Sequence, residues 1–372
     1  MMAGKRFILG FILSLALVFF SWPGAQTAQA SCGSVTCFVV IGSQQQVPQA
    51  GLLTVNAIYN YTPMRLLSGT NGVIPGLDQA NRQMILDHHQ EARTITQQAT
   101  LDLNYGVTDR IGLQITLPYV RRTHKHIDGL GEEGLNGEGE STNFSANGIG
   151  DMRVGLKYNV LPTLSSMVVL GFGVYLPSGN THAHDNVGGI MESTTQLGRG
   201  QVGLNPTIYQ TYELIPHRLN QFASASYRHT FRNNDGYLFG DEYMLNAGLN
   251  LVTTPWLVLT GQFNYRYLVH DNFSSSLSRS ATPADVPFPD DPVPIDPTIK
   301  NRAVPTTGST YYAFAPGFQV GLGQLIESSW TNMTSFYFFA QIPFARDSNN
   351  SLAQGTSYIF GLSRSFQLLN PS

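Results

Sequence analysis

Residues 93–121 read RTITQQATLDLNYGVTDRIGLQITLPYVR. In the first half Ile95, Ala99, Leu101, Leu103 and Tyr105 oppose Thr96, Gln98, Thr100, Asp102 and Asn104, and in the second Ile111, Leu113, Ile115, Leu117 and Tyr119 repeat the apolar series. Successive side chains of a strand point to opposite faces, so each half offers one face to an apolar medium and one to water. Val107-Thr108-Asp109-Arg110 between them is a tight turn. Tilted strands of about 10 to 14 residues are long enough to cross a bilayer. In lipid an open sheet edge would leave backbone amides and carbonyls without partners, so such strands imply a closed barrel.

The same pattern recurs outward from this hairpin. Leu53, Val55, Ala57, Tyr59 and Tyr61 mark a strand at 51–61, and Met152, Val154, Leu156, Tyr158 and Val160 mark another at 148–160. Further strands are expected at 167–176, 201–213, 220–231, 242–252, 256–268, 310–322, 333–344 and 356–368. The fold class is therefore all-β: a closed antiparallel up-and-down transmembrane barrel of about 12 strands, within a range of roughly 10 to 14. Long connections at 62–92, 122–147, 177–200, 232–241, 269–309 and 345–355 alternate with short ones, although 323–332 is no shorter than 232–241. This order predicts both termini and the short turns in the periplasm, with long loops outside the cell. The Pro-, Ser- and Asp-rich segment 269–309 is expected to be irregular. A periplasmic β-sandwich would alternate too, but with shorter strands and a charged exterior, whereas here the charges fall in loops or on the prospective lumen face.

The N-terminal 30 residues read as a secretory signal peptide: Lys5 and Arg6, an apolar stretch from Phe7 to Phe20, then Ala28-Gln29-Ala30 as a small-x-small cleavage site. Residues 31–50 form an expected periplasmic segment, and 51–372 the barrel. Cys32 and Cys37 lie close together after the cleavage site, which in an exported chain favours one local disulfide. Two thiolates alone supply too few ligands for a metal. Lipid attachment at Cys32 is disfavoured by Gln29, which stands where a lipoprotein signal needs an aliphatic residue. Net charge is −3 and only 12% of residues are charged, so no basic patch recommends a nucleic-acid partner. The 17 Tyr, 21 Phe and 37 Gly suit a barrel with aromatic girdles and tight bends.

Several phrases resemble a known family, the MetA-pathway of phenol degradation group of outer-membrane β-barrel transporters. These are Val107-Thr108-Asp109-Arg110 leading to Leu117-Pro118-Tyr119-Val120-Arg121-Arg122; Gly148-Ile149-Gly150-Asp151 with the alternating strand after it; Leu176-Pro177-Ser178-Gly179-Asn180; and Leu197-Gly198-Arg199-Gly200. The resemblance covers about residues 90–270 and implies an outer-membrane barrel without naming a cargo. It also suggests a subgroup with an N-terminal Cys pair, a His-x-x-Glu near His88 and a His-x-His such as His124-Lys125-His126. Outer-membrane barrels often end on an aromatic residue read by the barrel-insertion machinery, whereas here Phe366 is followed by Gln367 to Ser372.

The lumen face is predicted to collect Asp102, Arg153, Lys157, Arg228 and Arg266. Rings of one charge tune selectivity, so these point to a path for a small neutral or anionic solute; ion-paired side chains filling a narrow lumen are the plainer alternative. His88, His89, His124, His126, His182 and His184 are expected in or beside the long loops, with Asp87, Glu91, Asp128 and Asp185 nearby. Imidazoles with carboxylates suit zinc, copper or nickel, although polar loops also tolerate His with no ligand. No resident cofactor is otherwise expected. His229 shares the parity of Tyr227 and Phe231 and should face lipid, with no evident Ser or Asn to complete a triad; neither a phosphate loop nor a Gly-x-Ser-x-Gly or His-Glu-x-x-His run occurs, so no enzyme is implied. Three readings follow: a channel for a small solute, a metal-linked barrel, or a closed structural barrel acting as an adhesin or partner-binding scaffold. A membrane barrel should migrate differently on gels before and after boiling and stay with the membrane in salt or urea; identical mobility with release by urea would refute the fold.

Overall fold

A computed structural model describes residues 46–78, 83–128, 140–163, 165–184, 191–274, 276–280, 292–296, 302–326, 328 and 331–369. The expected signal peptide and the Cys32 and Cys37 pair lie outside these residues. The barrel has 12 strands: β1 Leu52–Arg65, β2 Gln83–Gly106, β3 Ile111–Asp128, β4 in two pieces Glu140–Ile149 and Met152–Asn159, β5 Ser166–Leu176, β6 Gly203–Ile215, β7 Leu219–Thr230, β8 Glu242–Thr254, β9 Leu257–Leu268, β10 Ser309–Gly321, β11 Thr334–Asp347 and β12 Ser357–Gln367. Each pairs antiparallel with its neighbours in chain order, and β12 returns to β1 from Leu52↔Gln367 to Tyr61↔Tyr358. That last ladder closes the cylinder and removes both sheet edges. No helix among the described residues is long and apolar enough to cross a membrane, which leaves strand crossing untouched.

All 12 expected strands are present, and the short turns lie at the end that holds Leu52 and Gln367. The departures are at the opposite, long-loop end. Strand β2 begins at Gln83 rather than 93, and β3 runs to Asp128 rather than 121, so most of the segments expected as connections 62–92 and 122–147 is paired. Val73–Asp78 joins β2 there, and the first piece of β4 ladders with the far half of β3. The physical reason shows on the outer face: beyond Tyr119 it carries exposed Arg93, Arg121 and Lys125, so the hairpin continues as a polar wall above the apolar belt. Strand β4 breaks at Gly150 and Asp151, where Gly148 adopts φ 158 and the Gly150 amide bonds to the Pro118 carbonyl at 2.9 Å. The segment 269–309, expected to be irregular, is partly ordered: Asn272–Phe273 pairs with Tyr237–Leu238 and with Arg302–Ala303, over a small core of Tyr237, Phe239, Phe273 and Val304.

Outward positions expose Leu101, Leu113, Ile115, Leu156, Phe172, Leu249, Leu259 and Phe314, as a lipid-facing surface requires. Tyrosines cluster toward the long-loop end of that surface, with Tyr227, Tyr243 and Tyr267 in successive ring contacts of 5.1 and 6.3 Å. Inside, large rings lie over glycines of the next strand. A Cβ on Gly361 would meet the Tyr337 ring at 2.0 Å, one on Gly317 the Phe339 ring at 2.2 Å, and one on Gly248 the Phe222 ring at 2.5 Å. Phe222 also packs with Val47, Val169 and Tyr209, so the segment before β1 is held against the inner wall near the termini. Overpacking a filled interior costs about 1–3 kcal/mol. Gly248→Val should lower the unfolding free energy of the reconstituted barrel in urea titrations by that amount, and adding Phe222→Ala should recover part of the loss.

Candidate functional site

The five charged residues assigned to the lumen by parity all face inward. Asp102, 1% exposed, sits at the centre of a polar cluster in the half of the lumen nearer the termini. It accepts bonds from Asn56 Nδ2 (3.2 Å), Asn104 Nδ2 (2.5 Å), Gln114 Nε2 (2.7 Å) and Thr116 Oγ1 (2.8 Å). Lys157 Nζ donates to Asn104 Oδ1 at 2.6 Å, and Arg153 Nη1 to Gln114 Oε1 at 2.7 Å. Asp102 and Lys157 are thus tied into structure through amides and a hydroxyl.

The arginines differ. Arg153 donates a second bond to Asn205 Oδ1 at 3.1 Å; Arg228 stacks 3.8 Å over Tyr175, and Arg266 lies 5.5 Å from the Tyr311 centroid. Among the described residues the arginine ion pair is Arg199 with Glu242 at 3.8 Å, and Arg153, Arg228 and Arg266 make none. All three border a cavity of about 550 Å³ in the half of the lumen toward the long loops, which Arg122 and Arg199 also line. Neither of these last two was picked out from sequence as lumen-facing, since each sits where a strand passes into a loop and parity stops being readable.

Beside the cavity, whose wall here includes Glu91, Thr94 and Glu192, three of the expected histidines meet. His124 and His126 point the same way from β3, as extended spacing requires, with ring centroids 5.2 Å apart; His126 lies 4.9 Å from His89. They stand within strands rather than in loops, which corrects that part of the expectation. Ala92 is an extra residue in the β2–β3 register, between Glu91↔His126 and Arg93↔Lys125. This bulge lets Glu91 and Thr94 both face inward, where strict alternation would have opposed them. Glu91 Oε1 is 3.5 Å from His89 Nε2 and 3.4 Å from His124 Nε2, and Thr94 Oγ1 is 2.8 Å from His124 Nδ1. The cluster lies above the apolar belt, and burial pushes the Glu91 carboxyl up to about 8, opposed by His126.

The fourth element is the turn at 191–199. Met191 and Leu197 pack on Val120, Phe144 and Ala146, and Arg122 Nη1 donates to the carbonyls of Thr194 (3.0 Å) and Gln196 (2.6 Å). The Gln196 amide clamps Ala183 and Met191. This fixed turn brings Glu192 Oε1 to 3.9 Å from His89 Nε2. Glu192 was missed from sequence because nothing in its non-periodic neighbourhood gives a direction.

The remaining candidates do not join the cluster. His182 is exposed and lies 3.8 Å from Asp235, and His184 is exposed nearby. The side chains of His88, Asp87 and Asp128, and all of Asp185, are outside the described residues. His229 faces outward as expected, with Nδ1 2.7 Å from Asp241 Oδ1, while Tyr227 donates to the other Asp241 oxygen at 2.7 Å.

The family described as "Putative MetA-pathway of phenol degradation" matches residues 89–280, more than half of the chain. The chain belongs to that family. Among solved structures it is similar to the COG4313 outer membrane channel from Pseudomonas putida F1, at 10% identity over 88% of this chain and 100% of that one, with a TM-score of 0.53. The Ralstonia pickettii toluene transporter TbuX gives 9% identity, 87% and 90% coverage and a TM-score of 0.40. No curated protein sequence matches. By fold, then, the chain is a β-barrel of the outer-membrane kind.

Removing Asp102 would leave four donors, three of them buried, without their acceptor, at about 1–3 kcal/mol for an unmet buried group. Asp102→Ala should therefore lose at least about 2 kcal/mol of stability in urea titrations of the vesicle-inserted barrel, and Asp102→Asn less because one carbonyl acceptor survives.

Proposed function

We propose that this protein is an outer-membrane channel for passive or facilitated passage of a small neutral or anionic solute, with both termini and the short turns in the periplasm and the cavity opening toward the outside. The observation that carries the reading is the trio Arg153, Arg228 and Arg266, which borders the 550 Å³ cavity without an ion pair among the described residues. Guanidinium groups held on aromatic faces, as in Arg228 and Arg266, or on neutral amide oxygens, as in Arg153, rather than on carboxylates keep their field for what enters the lumen. The half nearer the termini is narrow, filled by the Asp102 cluster and by Val47, Tyr209 and Phe222, so slow or selective passage fits better than a general pore. Its partners are outer-membrane lipid, the solute and the barrel-insertion machinery. No reaction belongs to this reading.

That filled half also favours a second reading, a closed barrel serving as a surface scaffold. Planar-bilayer recordings separate the two. A channel should give discrete conductance with anions preferred over cations, and Arg228→Gln with Arg266→Gln should move the reversal potential toward the unselective value. Correctly folded protein that gives no conductance would establish the scaffold instead, and cation preference would refute the role given to the arginines.

A further inference from the structure

We propose that the cluster on the cavity wall is a binding site for a divalent transition metal of the zinc class, held by His89, Glu91 and Glu192 with His124 as the fourth ligand. The first three offer ligand atoms that all lie within 4.8 Å of one another. His124 Nε2 lies 3.4 Å from Glu91 Oε1 and would complete the set by moving toward the other two. Zinc bonds to imidazole nitrogen and carboxylate oxygen are about 2.0–2.2 Å, which places tetrahedral ligand atoms roughly 3.3–3.6 Å apart. The separations of 3.4 and 3.5 Å match that spacing, and the 3.9 Å separation, which involves Glu192 on its loop, exceeds it and requires a small inward shift of that side chain.

Three further features support a cation here. With neutral imidazoles, two carboxylates ionised on metal binding would bring a formal charge of −2 that a divalent ion balances. His89, Glu91 and His124 are no more than 4% exposed, so the charge is not left to solvent. The Thr94 hydroxyl sits on His124 Nδ1, and His124 Nε2 contacts His126 Nδ1 at 3.2 Å, a hydrogen bond that a metal on Nε2 would replace; an outer-shell partner such as Thr94 sets imidazole orientation at metal sites. Imidazoles beside carboxylates select zinc, copper or nickel over calcium or magnesium, which prefer all-oxygen shells. His126, in contact with both other rings, completes the polar surround.

The ligands come from two kinds of element. His89, Glu91 and His124 belong to the rigid β2–β3 wall, whereas Glu192 belongs to the turn at 191–199 that lies across the cavity. A bound ion would therefore pin that turn to the wall and set the width of the mouth. This holds whatever solute passes and does not depend on conductance.

The test uses the full mature chain, folded in detergent with any affinity tag removed, and zinc chloride alone as the probe. One zinc per chain should survive gel filtration. Glu192→Gln, which keeps the shape of the side chain, should bind more than about tenfold more weakly, His89→Ala should bind none, and Thr94→Val should lose roughly 10–100-fold as an outer-shell change does. Zinc should also protect the 183–200 segment from protease in the wild type and not in Glu192→Gln. The double change His182→Ala with His184→Ala should bind as the wild type does. Absence of zinc from heat-modifiable wild-type protein, unchanged affinity in Glu192→Gln, or loss of zinc in the His182/His184 variant would each overturn the proposal.

Discussion

A backbone amide or carbonyl left unpaired in hydrocarbon costs several kcal/mol, and this one cost organises the molecule. The ladder between β1 and β12 meets it: ten residue pairs, Leu52↔Gln367 through Tyr61↔Tyr358, join segments more than 290 positions apart and turn a twelve-stranded sheet into a cylinder. Closure then dictates the rest. Every strand has one face toward lipid and one toward the lumen, and every connection belongs to one end or the other. The interior is small enough that a large inward ring needs a glycine beside it, as Tyr337 needs Gly361 and Phe222 needs Gly248.

Within that fixed volume the two halves of the lumen are used differently. Near the termini the inward side chains satisfy one another: Asp102 takes four donors, Lys157 and Arg153 are drawn to amides bonded in the same network, and Val47 packs with Tyr209 and Phe222. Toward the long loops the wall is lined by arginines resting on tyrosines, by Glu91, which His89 and His124 approach, and by a turn braced through Arg122 and Gln196. The first half gives rigidity and narrowness. The second presents charge to an open cavity, and there a solute or an ion would be recognised.

Period-two alternation made the lumen charges legible. Asp102, Arg153, Lys157, Arg228 and Arg266 needed only parity, since a strand in a closed barrel has no third direction. The same rule put His124 and His126 on one face. It failed at Ala92, where an extra residue changes the parity between Glu91 and Thr94, and a bulge of one residue leaves no mark in composition. It also stopped at the ends of the apolar belt: polar residues such as Arg93, Arg121 and Lys125 read as loop although their backbones remain paired, because water, not lipid, surrounds that part of the hairpin.

The chain by itself determined the barrel, a strand count of about 12 within two either way, the sorting of connections between two ends and the inward face of each strand, because alternation under the bilayer constraint admits one architecture. Tertiary structure alone decided which inward residues meet. Histidines at 89 and 124 become neighbours through the β2–β3 register, and Glu192 joins them because Met191 and Leu197 pack on Val120, Phe144 and Ala146. Likewise, whether a lumen arginine is paired with a carboxylate or left facing the cavity depends on side-chain packing across strands. Parity gives a direction for each residue, but distance between residues on different strands is set by register, bulges and loop packing, none of which a local pattern encodes.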